Sequence, residues 1–146
     1  MDLEQLQRID IFRSLDPSDA KLVAERMEII CYPRNSLMIH EGEENSSLYV
    51  ILKGKVKIFL LDETGQEVIL NYLHEGDHFG EVSLFDDGHR SASVQTMDDC
   101  YFGTLQKEDF VQIMATHPNL AMTMFKGMTR RLKDLSNNVR TLAANW

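Results

Sequence analysis

The run Phe79-Gly80-Glu81-Val82-Ser83-Leu84-Phe85-Asp86-Asp87-Gly88-His89-Arg90-Ser91-Ala92 gathers the residue types needed to hold a small anion with a sugar attached. Gly80 lets the backbone come close to a ligand, and Glu81 offers an acceptor for hydroxyl groups. Arg90 offers a forked cation, and Ser91 adds a hydroxyl beside a backbone N–H. Arginine grips two phosphate oxygens at once, and consecutive backbone N–H groups in a turn form an anion-binding nest. The plainer alternative is an ion pair between Glu81 and Arg90 that closes a surface loop, a contact that usually contributes little.

Such a cradle must be held by strands, and the chain supplies them. After Pro33, short runs of Leu, Ile, Val, Tyr and Phe are punctuated by Gly, Asn and Asp, the spacing of an antiparallel sandwich or barrel. Leu37-Met38-Ile39 leads to a turn at Glu41 to Asn45, and Ser47 to Leu52 runs into Lys53-Gly54. Val56 to Leu61 and Glu67 to Leu73 flank Asp62-Glu63-Thr64-Gly65 and read as a hairpin. Ala92 to Thr96 closes the cradle, and Cys100 to Leu105 finishes the sheet. The total is about seven or eight strands, enough for a two-sheet jelly roll.

Helices flank this β region. Leu3, Leu6 and Ile9 predict a first helix from Leu3 to Phe12. Asp16 caps a second, with Pro17 at its first position and Ala20, Leu22, Val23, Ala24, Met27 and Ile30 on the buried side, ending near Ile30. A short helix starts at Lys107 and runs through Met114, and Pro118 opens a long one. On the long helix Ala121, Phe125, Met128, Leu132, Leu135, Val139 and Leu142 alternate steps of four and three, the seam of a coiled coil. The expected partner is the same helix of a second copy, giving a homodimer through residues 121–142; the alternative is packing across the chain's own β region.

The 146 residues, 43% hydrophobic, suffice for one domain with a core and an extension. The formal net charge of -8, with 15 basic against 23 acidic residues, argues against this chain itself gripping a nucleic-acid backbone. Lys126, Arg130, Arg131 and Lys133 form a local basic cluster that reads as a solvated helix face. Cys31 and Cys100 stand far apart without metal-ligand spacing; one disulfide is conceivable, but two buried free thiols are the expectation. No secretory start and no run of membrane-spanning length occurs, so a cytoplasmic protein without membrane contact is expected.

Gly80-Glu81-Val82-Ser83-Leu84 followed by Arg90-Ser91-Ala92 resembles the phosphate-binding cassette of cyclic nucleotide-binding domains. With Tyr72-Leu73-His74-Glu75-Gly76-Asp77 before it, the long helix after it, and turn glycines at Gly42, Gly54 and Gly76, nearly the whole chain resembles the sensor half of the Crp/Fnr family of bacterial regulators. The resemblance implies a jelly-roll cyclic nucleotide-binding domain over residues 1–117 and a dimerisation helix over 118–146. It implies cAMP as effector, with cGMP or another cyclic nucleotide as alternatives, and no metal.

In that pattern Arg90 pairs with the cyclic phosphate, and Ser91 adds its hydroxyl and N–H. Glu81 takes the ribose 2′-hydroxyl, Gly80 approaches the ribose, and Val82 and Leu70 flank sugar and base; Ser83 and Ala92 complete the cassette. The long helix of a cAMP-responsive relative offers two adjacent hydroxyl residues to the adenine; here the pair reads Leu135-Ser136, which leaves base choice open. The loop Asp86-Asp87-Gly88-His89 is also one residue shorter. DNA would be reached only through a helix-turn-helix domain absent from this chain, which reads as an excised sensor or else as a stand-alone regulatory protein.

An enzyme is not expected, since Ser83, Ser91 and the histidines lack a triad or nucleophile-elbow context. The competing chemistry is a cupin-like metal site from His74, His78 and Glu81, with both histidines on one face. Its spacing counts against it, because two rings four residues apart on a strand lie too far apart unless the backbone turns at Gly76.

Overall fold

The computed structural model describes residues 1–13, 15–80 and 89–119, together with residues 122, 123, 125, 126, 129, 133 and 137. Asp2 caps helix α1 (Leu3–Gln7) by accepting the Gln5 N–H at 2.8 Å. The expected continuation to Phe12 is instead a separate 3₁₀ turn at Asp10–Phe12. The Asp10 N–H is donated to the Gly76 carbonyl, at 3.1 Å, so it cannot serve a continuing helix. Ile9, Ile11 and Phe12 are thereby all buried.

Helix α2 (Pro17–Arg26) starts as expected, with Asp16 accepting the Asp19 N–H at 2.9 Å and Pro17 in the first turn. It stops at Arg26, not near Ile30, and the β region begins before Pro33. Strand β1 (Glu28–Tyr32) follows at once. Ile29 and Ile30 are β-branched, and every residue of β1 is paired with β8 (Cys100–Leu105), from Glu28 opposite Thr104 to Tyr32 opposite Cys100. The distant partner decides an apolar run that helical spacing alone fits equally well.

The remaining elements are β2 (Leu37–Ile39), β3 (Leu48–Lys53), β4 (Lys55–Leu61), β5 (Glu67–His74), β6 (His78–Phe79), β7 (Ser93–Thr96) and α3 (Lys107–Thr116). The strands form two four-stranded sheets, ordered β1-β8-β3-β6 and β2-β7-β4-β5, with every pairing antiparallel. The expected β sandwich with flanking helices is therefore present. The β4–β5 hairpin closes on Asp62, whose carboxylate accepts from the Thr64 N–H, the Thr64 hydroxyl and the Gln66 N–H.

Two buried clusters hold the layers together. One joins Leu6, Phe12, Ala20, Val23, Phe110 and Ile113 of the helices to Leu48 and Val50 of β3. The other fills the space between the sheets and includes Tyr49, Ile51, Val56, Phe79 and Phe102. Strand β3 thus has one face in each cluster, the alternation a strand dictates. Gly54, at φ +103°, turns β3 into β4 directly against Cys100, and a β-carbon there would overlap the Cys100 Sγ. Cys100 is buried as expected, whereas Cys31 is exposed; both are free thiols.

Helix α3 runs two residues past Met114, to Thr116. Beyond it, Pro118, Asn119, Met122, Thr123, Phe125, Lys126, Thr129, Lys133 and Asn137 have helical backbone. Of the seam positions only Phe125 is described, and it is exposed. Ala121, Met128, Leu132, Leu135, Val139 and Leu142 lie outside the described residues. Among the described residues no helix is long and apolar enough to cross a membrane.

Candidate functional site

Two short segments converge on Arg90. Strand β6 lies antiparallel to β3, with Phe79 opposite Tyr49 and the two rings stacked at 5.2 Å between centroids. The register delivers Gly80, the next residue, to the end of β3 where Ser47 enters it. The loop before β3 supplies the second segment. The Gly42 N–H donates to the Arg90 carbonyl at 2.8 Å, the Arg90 N–H donates to the Glu43 carbonyl at 3.0 Å, and Glu44 bridges to His89. This pairing fixes the backbone from which the Arg90 side chain leaves.

The guanidinium is held tightly for an arginine, at 5% exposure. Nη1 donates to the Gly80 carbonyl at 3.1 Å, while Nη2 donates to the Ser47 carbonyl at 2.8 Å and to Asn45 Oδ1 at 3.0 Å. Its Cζ lies 5.6 Å from the centroid of the Tyr49 ring, a cation–π contact. Hydrogen bonds made by a charged group contribute roughly 1.5–3 kcal/mol each, so these contacts set the orientation of the fork. These three acceptors are uncharged oxygens, and the bonds to them help to aim the cation.

Gly80 has a packing role that spacing did not suggest. At φ +87°, a β-carbon on it would stand 2.6 Å from Arg90 Nη1 and 2.7 Å from the Ser47 carbonyl oxygen. The guanidinium occupies the room that the missing side chain leaves. Nearby, burial pushes the Tyr32 hydroxyl above its ordinary range, helped by Tyr49 and Glu43. Tyr32 packs edge-on to Phe102 at 6.0 Å, in the same aromatic layer as Tyr49 and Phe79.

Of the residues singled out from the sequence, Gly80 and Arg90 are brought into contact. Ser91 is exposed and Ala92 half-buried at the entry to β7. Leu70 is 53% exposed on β5, where the β4 register passes from Ile58 opposite Asn71 to Phe59 opposite Ile69. Leu70 is the extra residue of that bulge, a feature that re-aims a side chain. Glu81, Val82, Ser83, Leu135 and Ser136 lie outside the described residues.

Asn45, Ser47 and Tyr49 were not singled out, although all three hold Arg90. The signal open to reading was Asn45-Ser46-Ser47, a turn-forming sequence in which the Ser47 N–H donates to Asn45 Oδ1 at 3.0 Å.

The metal alternative named His74, His78 and Glu81; Glu81 lies outside the described residues, and the two histidines have different settings. His74 is an exposed residue at the end of β5, paired with Asp77 at 2.8 Å, whereas His78 is 2% exposed on β6 of the other sheet. The turn around Gly76 sends the two rings to different environments instead of one face. Among the described residues no cluster of metal-ligating side chains occurs.

The profile of the cyclic nucleotide-binding domain matches residues 29–117. The cAMP-activated global transcriptional regulator CRP of Salmonella typhimurium is 40% identical over 113 residues, which cover 77% of this chain and 54% of that protein. The chain thus spans about half the length of this curated relative, 54%. Catabolite activator protein of Thermus thermophilus superposes with a TM-score of 0.78 at 30% identity, covering 92% of this chain and 63% of that one. The regulatory domain of Toxoplasma gondii PKA, solved with cAMP, superposes with a TM-score of 0.69 at 27% identity, covering 76% and 42%. With Arg90 seated against Gly80, this chain belongs to the cyclic nucleotide-binding domain family, and the curated sequence relatives it matches are CRP-type transcription regulators, not enzymes.

Proposed function

We propose that this chain is the sensor domain of a Crp/Fnr-type transcription regulator, with cAMP as its effector. The observation that carries this reading is the buried Arg90 guanidinium, oriented by Gly80, Asn45 and Ser47 in a chain of the cyclic nucleotide-binding family. An aimed, always-charged fork suits a cyclic phosphate. The names of the relatives favour cAMP over other cyclic nucleotides, and the Leu135-Ser136 pair makes base choice the finer question.

On this reading Arg90 holds the phosphate, and Ser91 adds its hydroxyl and N–H. Glu81 accepts from the ribose 2′-hydroxyl, Val82 and Leu70 flank sugar and base, and Ser83 and Ala92 complete the cassette. Residues 1–117 form the ligand-binding unit, and residues 118–146 form a helix that pairs with its copy in a homodimer through the 121–142 seam. Ligand draws the cassette toward Arg90 and biases the seam between two registers. DNA is engaged by a region beyond this chain, as in a cytoplasmic regulator of CRP type.

Calorimetric titration of the chain with cAMP, cGMP and cyclic di-GMP, with Arg90→Leu as control, tests the reading. Binding of one nucleotide in the micromolar range, abolished in the control, is expected. A folded wild-type chain that binds none of the three would overturn it. Amide exchange beyond residue 136 that stays unchanged on ligand addition would remove the helix from the mechanism.

A further inference from the structure

Tyr49 is 6% exposed on β3, and the Arg90 guanidinium carbon lies over its ring, 5.6 Å from the centroid. The ring is held on two sides by other rings. It is stacked on Phe79 at 5.2 Å with 7° between the planes, and it meets Phe102 edge-on at 6.2 Å. Phe79 meets the same Phe102 edge-on at 5.7 Å, so the Tyr49 ring cannot tilt without displacing both neighbours. Phe79 also carries the chain into Gly80, whose carbonyl accepts from Arg90 Nη1 at 3.1 Å. Strand β6 therefore brings the ring stack and one hydrogen-bond acceptor to the arginine as a unit.

The ring gives a kind of support that the Gly80, Asn45 and Ser47 oxygens do not. Each oxygen engages a single N–H bond of the fork, whereas the negative face of an aromatic ring attracts the cation as a whole and consumes no donor. We infer that Tyr49 is a positioning residue for nucleotide binding, and that its ring face, not its bulk, holds the Arg90 guanidinium in the orientation that receives the phosphate. This role rests on the reading of Arg90 as the phosphate-binding residue. The Tyr49 hydroxyl is secondary, since it stands 3.5 Å from Asn45 Nδ2, a long and therefore weak hydrogen bond.

The experiment measures cAMP affinity by calorimetry, and the thermal midpoint, for wild type, Tyr49→Phe, Tyr49→Leu and chains carrying singly, doubly or triply fluorinated phenylalanine at residue 49. Fluorine draws electron density from the ring face and hardly changes its size, so the fluorinated chains separate the face from the bulk. Tyr49→Phe is expected to bind within about twofold of wild type, each added fluorine to weaken binding further, and Tyr49→Leu to weaken it by about threefold to thirtyfold, the span of a cation–π contact. Affinity that stays level along the fluorinated series would overturn the inference, even where Tyr49→Leu binds weakly or melts early, because bulk alone would then matter. A large loss in Tyr49→Phe would overturn it too, by giving the role to the hydroxyl. If wild type binds no cyclic nucleotide, the phosphate reading of Arg90 itself falls, and the inference with it.

Discussion

The Arg90 guanidinium occupies the space where a side chain on Gly80 would begin, 2.6 Å from the position of that absent β-carbon. The two residues are ten apart in sequence, and one makes room for the other. Gly80→Ala should therefore act twice, through strain at φ +87° and through displacement of the fork. A loss of roughly 2–4 kcal/mol in stability is expected, with weaker cAMP binding in whatever folds. Urea melts and titration of the same sample check both.

Arg90→Lys should separate charge from shape. A lysine keeps the cation but cannot serve the Gly80, Asn45 and Ser47 oxygens together while facing a phosphate. Affinity for cAMP is expected to fall about tenfold to a hundredfold, short of the complete loss expected for Arg90→Leu. Equal affinity of the lysine variant and wild type would mean that only charge matters at this position.

At the start of α2 the backbone N–H of Asp19, and then the Ser18 hydroxyl, hold the Asp16 carboxyl below its ordinary value of 3.8. A lowered native value means that the ionised form stabilises the fold at pH above about 3.8, and that this contribution fades as pH falls through the native value. Asp16→Asn keeps the acceptor oxygen without the charge. Its thermal midpoint should sit slightly below that of wild type at neutral pH, and the gap should close in acid.

Gly54 and Cys100 make a second interlock. Burial pushes the Cys100 thiol above 9.0, and its Sγ donates toward the Asp98 and Lys55 carbonyls at 3.3 and 3.5 Å. A raised native value makes stability full below about pH 9 and declining above it, as the unfolded thiol ionises first. Thiol titration under native conditions should therefore label Cys31 alone, with Cys100 reacting on unfolding. Gly54→Ala should cost roughly 2–4 kcal/mol through overlap with that sulfur and expose Cys100 to the reagent.

What could be read in advance follows from how local each signal is. The β4–β5 hairpin was legible because Asp62 to Gly65 carries its own turn chemistry, with Asp62 binding the Thr64 and Gln66 N–H groups. The Asp16-Pro17 start of α2 was legible for the same reason. Strand β1 was not, because Met27 and Ile30 fit a helical stripe and only pairing with β8 decides otherwise. Within the site, Arg90 and Gly80 announced themselves by type and spacing. Asn45 did not, since its importance comes from a partner brought near by β3, β6 and the pairing of residues 42–44 with 89–90.

Strand β3 presents Tyr49 and Ile51 to one buried cluster and Leu48 and Val50 to the other. A wall packed on both sides has no slack, because interiors at native density resist small displacements. Any ångström by which the Tyr49 ring yields under Arg90 must be taken up by Leu48 and Val50 on the reverse side, among Phe110 and Ile113 of α3. The site and the helical layer are in this sense one instrument, and a ligand pressing on the first is weighed by the second.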